Sequence, residues 1–291
     1  MEDPTAMNRR HALIAYVLIA CTLVLGLIAR ASDSRTGSWT ISHSDEPGKV
    51  SFALIYHSKH SNSNHESDWP TGEFKGVDFS KSGKQDVKFA ITRDAGRFDC
   101  DGYLKDGEGA GVFHFAPDAQ YVPQMSALGF TGIDEEKQFS MAVLDVSVAY
   151  AKEIKSKNLH DLDTDKLIAF RIFNVSSEFI DQLRKAGLPA TDADKLVAFR
   201  IHGVSPEMVS FLQKAGYHPD EDTLIAMRIH GVSPDFIEKV QTLGYQHPEP
   251  DQLVAMRIHG VSPEFIANMK SRGMKDLTID QLVSLRIHGI D

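Results

Sequence analysis

One phrase recurs through the second half of the chain. It is complete as LVAMRIHGVSPEF at Leu253 to Phe265 and returns in looser forms whose arginines fall at Arg171, Arg200, Arg228, Arg257 and Arg286, 28 or 29 residues apart. Self-similarity at this period marks a stacked array of short helices, in which each copy packs only on its neighbours. Such arrays serve as binding surfaces more often than as catalytic pockets.

The chemistry of one copy specifies two helices. Around Arg228, the residues Leu224, Ile225, Met227 and Ile229 make an apolar stripe at helical spacing, and Asp220 and Asp222 suit the positive end of the helix dipole. Gly231 supplies a left-handed stop, with Val232 placed to fold back on Met227 in a Schellman ending. Ser233 then caps a second helix, Pro234 fits its first turn, and Val232 pairs with Ile237 as a hydrophobic staple. That helix stops at Gly244, with Tyr245 folding back on Val240.

Other copies follow the same rules. Val204 with Val209, and Val261 with Ile266, repeat the staple; Gly216 with Tyr217, and Gly273 with Met274, repeat the second stop. In the copy at Arg171, Asn174 replaces glycine, a swap that the left-handed region tolerates. An eroded copy, Glu136 to Ile154, aligns at an offset of 29 with Ala142 in the arginine position, and Tyr121 to Gly129 matches a lone second helix before it. The array is therefore expected to occupy 118–291, opening on a lone second helix and closing on a lone first one, with the eroded end facing the preceding domain.

The amino-terminal region bears on compartment. Ala12 to Ala29 is an uncharged apolar run preceded by Arg9 and Arg10. As a helix it would rise about 27 Å, near the thickness of a hydrocarbon core. The arginine pair favours a cytoplasmic tail, 1–11, with everything after Arg30 exported from a bacterial inner membrane and 30–37 as a linker. A single-pass anchor is the leading expectation. Ala29-Arg30-Ala31 offers a signal-peptidase reading, and Leu18 to Cys21 resembles a lipoprotein box.

Between anchor and array the period changes to two. Val50, Phe52, Leu54 and Tyr56 alternate with Ser51, Ala53, Ile55 and His57; Val87, Phe89 and Ile91 alternate with Lys88, Ala90 and Thr92. Turns at Asp94 to Gly96 and Asp106 to Gly109 lead into strands carrying Phe98, Cys100 and Leu104, then Phe113 and Phe115. The fold class expected is α+β: an antiparallel sheet, sandwich or small barrel over 38–117, then the helical repeats, with an amino-terminal transmembrane helix.

Residues with reactive chemistry are sparse. No HExxH, GxSxG, GxxxxGK[ST] or CxxC motif is present, so no catalytic, cofactor-binding or metal residue is assigned. Gly107, Gly109 and Gly111 read as a hairpin, not a phosphate loop. His57, His60 and His65, with His43, lie in a polar stretch read as an exposed loop without metal-ligand spacing. His202, His230, His259 and His288 read as helix-end groups. A net charge of -9 argues against polyanionic partners. Only Cys100 lies beyond Cys21, so an exported domain has no disulfide of its own and Cys100 should be buried.

The arginine ladder, Arg171, Arg200, Arg228, Arg257 and Arg286, is the candidate partner-binding edge. The competing expectation pairs each arginine with an acidic residue such as Asp222, Asp251 or Glu264; an aspartate recurs six positions before every one of the five.

Two resemblances bear on these residues. RIHGVSPEF resembles the hairpin of helix-hairpin-helix DNA-binding modules, although serine stands where their second glycine would be and no lysine accompanies it. VKFAITRDAGRFDCDGYLKDGEGAGVFHFAP followed by LVAMRIHGVSPEFI repeats resembles an uncharacterised bacterial envelope family common in acidobacteria, with similar segments behind membrane metallopeptidase domains of the beta-lactam sensor type. The second resemblance implies extracytoplasmic sensing or docking and supplies no catalytic residue. The function expected is a non-enzymatic, membrane-anchored module for a protein or cell-envelope ligand. Alternatives are a soluble or lipidated periplasmic binder of a small ligand or envelope polymer, with nucleic-acid binding as an outside reading and an undetected hydrolase site as a third class.

Overall fold

The computed structural model describes residues 35–57 and 62–290. The expectations placed on 12–29, Cys21 and His60 lie outside them. Among the described residues, six strands form one antiparallel sheet and twelve α-helices follow. No helix among them is long and apolar enough to cross a membrane. Two compact units result. One runs through Val122 and takes in Asp134–Val143; the other comprises Pro123–Ile133 and the chain from Leu144 onward, so the division falls later than the expected 117/118 border.

In the first unit the strands are β1 (Arg35–His43), β2 (Lys49–His57), β3 (Asn62–Pro70), β4 (Lys84–Arg93), β5 (Gly96–Lys105) and β6 (Glu108–Pro117), in spatial order β3-β2-β1-β6-β5-β4. Two meanders are thus joined through β1 and β6. Asp94-Ala95 and Asp106-Gly107 make the tight turns, the latter with both residues at positive φ, 55° and 89°. The polar stretch read as a loop is corrected in part: from Asn62 it is β3, an edge strand whose one buried apolar side chain in the stretch is Trp69.

The sheet is rolled upon itself. Phe52 of β2 and Phe89 of β4 stand four strand positions apart, roughly 19 Å in a flat sheet. Their ring centroids are nevertheless 6.4 Å apart. Phe74, after the 3₁₀ turn Thr71–Glu73, lies 5.3 Å from Phe52 and 5.4 Å from Phe89, filling the inside of the roll. The two edge strands meet through side chains: the Arg93 guanidinium of β4 sits 4.0 Å over the Trp69 ring of β3 and bonds Glu73 at 2.6 Å.

Glycines make room inside. A Cβ on Gly111 would lie 2.0 Å from the Asp101 carbonyl and 2.7 Å from the Trp39 indole, so the expected hairpin glycine is a packing position under a buried tryptophan. The helix Glu135–Val143 closes the unit. Its Phe139 ring lies 5.0 Å from Phe115 and 4.6 Å from Tyr56, while the Gln138 amide donates to the carbonyls of Ala95 and Asp118, both at 2.8 Å.

In chain order the helices are α1 (Tyr121–Ala127), α2 (Glu135–Val143), α3 (Val148–Lys155), α4 (Thr164–Ile172), α5 (Ser177–Lys185), α6 (Ala193–His202), α7 (Pro206–Lys214), α8 (Glu221–Ile229), α9 (Pro234–Thr242), α10 (Pro250–Ile258), α11 (Pro263–Ser271) and α12 (Ile279–Ile287). First helices of successive repeats pack side by side (α4, α6, α8, α10, α12), and second helices do likewise (α5, α7, α9, α11). Every junction has its local cause. The Val232 amide bonds the Met227 carbonyl at 2.8 Å, and Tyr217 repeats this on Leu212 at 2.8 Å, the long bond of a Schellman stop. Ser233 accepts from the Phe236 amide at 3.1 Å, and Ser176, Ser205 and Ser262 do the same in their copies. Asn174 and, in the eroded copy, Asp145 hold the left-handed position at φ 55° and 54°.

Candidate functional site

Each arginine of the ladder reaches back one repeat. Arg200 Nε donates to the Phe173 carbonyl at 3.1 Å, Arg228 to His202 at 3.4 Å and Arg257 to His230 at 3.1 Å, while Arg171 donates to Leu144 at 2.8 Å. These carbonyls end the first helix of the preceding copy, where orphan acceptors and the negative dipole end favour a cation. Aromatic rings complete four of the seats: Tyr150 lies 4.8 Å under Arg171, Phe179 4.7 Å under Arg200, Phe236 5.1 Å under Arg257 and Phe265 5.0 Å under Arg286. Met208 stands at the aligned sequence position in the copy before Arg228.

The expected pairing with acids is therefore corrected. Arg171 does add a carboxylate, Asp145 Oδ2 at 2.9 Å, but the aspartates six positions before the arginines serve the opposite helix ends. There Lys166 pairs with Asp194 and Lys195 with Asp222. Carbonyls at one end and carboxylates at the other hold neighbouring first helices parallel and in register.

The glycine of RIHG has a second reason that sequence reading missed. A Cβ on Gly203 or Gly231 would lie 3.0 Å from Nη2 of the next copy's arginine. The guanidinium lies over the stop itself. Sequence reading also missed a second ladder, visible only as a 28- or 29-residue spacing of long polar side chains. Lys155 donates to the Leu128 carbonyl, Arg184 to Lys157 at 2.8 Å and Lys270 to Leu243, each the last turn of the preceding second helix.

Among the described residues the histidines read as a candidate cluster are not brought together. His43 Nδ1 lies 2.8 Å from Glu108 Oε1 on the sheet surface, and His65 sits in β3, two strands away and four register positions along. Burial, and then the Arg93 charge, pull the His65 pKa down. His57 ends β2. Among the described residues no group of three or more His, Cys, Asp or Glu is placed to hold a metal ion. His230 and His259 are exposed at helix ends, and His288 Nδ1 lies 2.7 Å from the Ser284 carbonyl.

With the arginines engaged, the repeats share an exposed apolar feature. Ile172, Ile201, Ile229, Ile258 and Ile287, one per copy and each following its arginine, are 52–58% exposed. They stand on the solvent side of the first helices, opposite buried residues such as Leu224 and Met227. On the sheet, Ile55 and Val112 are also exposed and line a shallow depression with Ser38, Asp101 and His114.

No family model, curated protein or solved structure matches the chain.

Proposed function

We propose that the chain is a non-enzymatic extracytoplasmic interaction module, anchored to a bacterial inner membrane by residues 12–29, and that the first-helix face of the array is its docking surface. The isoleucine at the same exposed position in all five copies carries this reading. A single exposed isoleucine needs no explanation, but an apolar row along adjoining helices is the kind of patch that marks an interaction site. The second helices show that the array can present polar surface: Glu238 and Lys239 occupy the outer side of α9. Extracytoplasmic placement rests on the charge pattern around the apolar run and on the resemblance to the envelope family. The depression around Val112 favours the rival reading, in which a soluble or lipidated protein binds a small ligand or envelope polymer through its sheet.

The test places a photo-crosslinking amino acid at position 229 or 258, with position 238 as control, in membranes of cells making the full chain. Crosslinked product from 229 and 258 but not 238 is expected; none from either would sink the docking surface. A chain found wholly in the cytosol would overturn the anchored reading.

A further inference from the structure

We infer that the partner on this face is a second copy of the same chain, docked first-helix face to first-helix face with the two arrays running in the same direction. The inference rests on the docking surface proposed above and adds the identity of the occupant.

Charge order across the face supplies the argument. In the copy at Arg228, the exposed Asp222 stands at the amino end of α8, followed by the half-buried Ile225 and Ala226, then exposed Ile229, then Arg228 and His230 at the carboxyl end. The same order recurs in the other copies, with Phe173 in place of the histidine in the copy at Arg171 and Ser284 in place of the alanine in the copy at Arg286. Because neighbouring first helices are parallel and in register, it forms one acidic edge, an apolar middle and one basic edge. Lysines pair with the acidic edge at Asp194 and Asp222. In the next two copies Thr223 and Gln252 stand at the equivalent positions, leaving Asp251 and Asp280 without that lysine.

Such a face complements itself under one symmetry operation. A two-fold axis along the array reverses the order, setting the acidic edge of each copy against the partner's basic edge. Ile229 then falls over the partner's trough at Ile225 and Ala226, a large side chain against a small one. A two-fold axis across the array would set acid against acid. A membrane surface fits less well, because anionic headgroups would meet the acidic edge. Five nine- or ten-residue helices, each rising about 13 Å and spaced about 9 Å apart, give a footprint near 500 Å² in plane, of the order of a standard interface once its relief is counted.

The experiment uses the full chain in detergent micelles, in a Cys21→Ser background. Sedimentation at about 50 µM, well above the micromolar Kd a standard interface can reach, should give a dimer. Ile229→Glu with Ile258→Glu should leave monomers of unchanged helical circular dichroism and melting temperature. For orientation, chains carrying Ile287→Cys are mixed with chains carrying Ser284→Cys and oxidised; these should form a disulfide, and a mixture of Ile287→Cys with Ala169→Cys should not. A monomeric parent chain, a dimer that survives both glutamates, or a disulfide between 287 and 169 would overturn the inference. The photo-crosslinked product separates this failure from that of the docking surface. A product with the mass of a different protein leaves the surface standing and removes the second copy, whereas no product removes both.

Discussion

Arg257 bonds the last carbonyl region of the preceding repeat, its Nε 3.1 Å from the His230 oxygen, and its guanidinium lies 5.1 Å over the Phe236 ring. The arginine ladder therefore links repeat to repeat, and its loss should appear in stability. A charge-assisted bond and a ring contact at a partly exposed site are together worth about 1–2 kcal/mol. Arg257→Gln should cost that much in urea unfolding. Arg228→Gln should cost less, since its bond is longer, 3.4 Å, and methionine replaces the ring. A double-mutant cycle of Arg257→Gln with Phe236→Leu should return a coupling of about 0.5–1 kcal/mol; equal losses at 228 and 257 with no coupling would show that the ring contributes nothing.

Gly231 meets two demands at once, and they can be separated. Its φ is 70°, so alanine there incurs a left-handed backbone cost of about 1–2 kcal/mol. Gly273 has φ 93° with nothing within 4 Å of a Cβ, whereas at Gly231 the Cβ would lie 3.0 Å from Arg257 Nη2. Gly231→Ala should therefore destabilise more than Gly273→Ala, and the excess should disappear in an Arg257→Gln background. Equal melting-temperature losses in the parent background would remove the crowding argument.

These two cases show where sequence reading works and where it stops. Helix stops and starts were legible because their causes are local: Gly231, Val232, Ser233 and Pro234 act within a few residues of themselves. The arginine's partner was not, because a backbone carbonyl 27 positions away leaves no mark in residue type, and the recurring aspartate offered a misleading one. On the sheet, β3 was missed because it is an edge strand whose polar run from Asn62 to Asp68 carries no apolar alternation. The rolling that brings Phe52 to Phe89 depends on pairing β1 with β6, which no short-range pattern specifies.

Closure of the sheet provides a third prediction. Arg93 is 10% exposed and joins the edge strands through Trp69 and Glu73. Arg93→Ala should destabilise by about 2–4 kcal/mol, since it removes a desolvated cation–π contact and leaves Glu73 without that partner. Arg93→Lys should recover only part, because an ammonium lacks the planar face that stacks on an indole. Trp69 fluorescence should report the loosened edge before global unfolding; full recovery by lysine would mean that charge alone matters.

Gln138 should be intolerant of its closest isostere. Gln138 is 6% exposed and its amide nitrogen donates to two carbonyls, both of which an ionised glutamate would face with acceptors alone. The carboxyl can stay only if protonated, so the folded-state pKa of Gln138→Glu must lie above the unfolded value near 4.3. A raised folded pKa makes stability greatest below the unfolded pKa and lost as pH rises through the folded one. The variant should melt higher at pH 4 than at pH 7 after subtraction of the parent's pH dependence. An unchanged difference would mean that α2 moves to hydrate the carboxylate.

Cys100 gives the parent protein a comparable dependence at the alkaline end. Its thiol lies inside the sheet between Phe89 and Phe113 in register, and burial first, with the Asp99 charge second, pushes its pKa far above the ordinary value of 9.0. Tyr150 is likewise pushed up to about 12, chiefly by burial. Both groups have folded pKa values above their unfolded ones, so the unfolded chain releases protons first as pH rises. Their contribution is complete below about pH 8.5 and is lost progressively above it. The midpoint of urea unfolding should therefore fall between pH 8.5 and 10.5, and Cys100→Ala, although less stable at pH 7, should show a shallower fall. In the same window the native thiol should react with a disulfide reagent only at the rate of opening, since the thiolate is the nucleophile and burial withholds it. Rapid labelling of folded protein at pH 8 would show that the sheet opens at Cys100 far more readily than the packing of Phe89 and Phe113 around it implies.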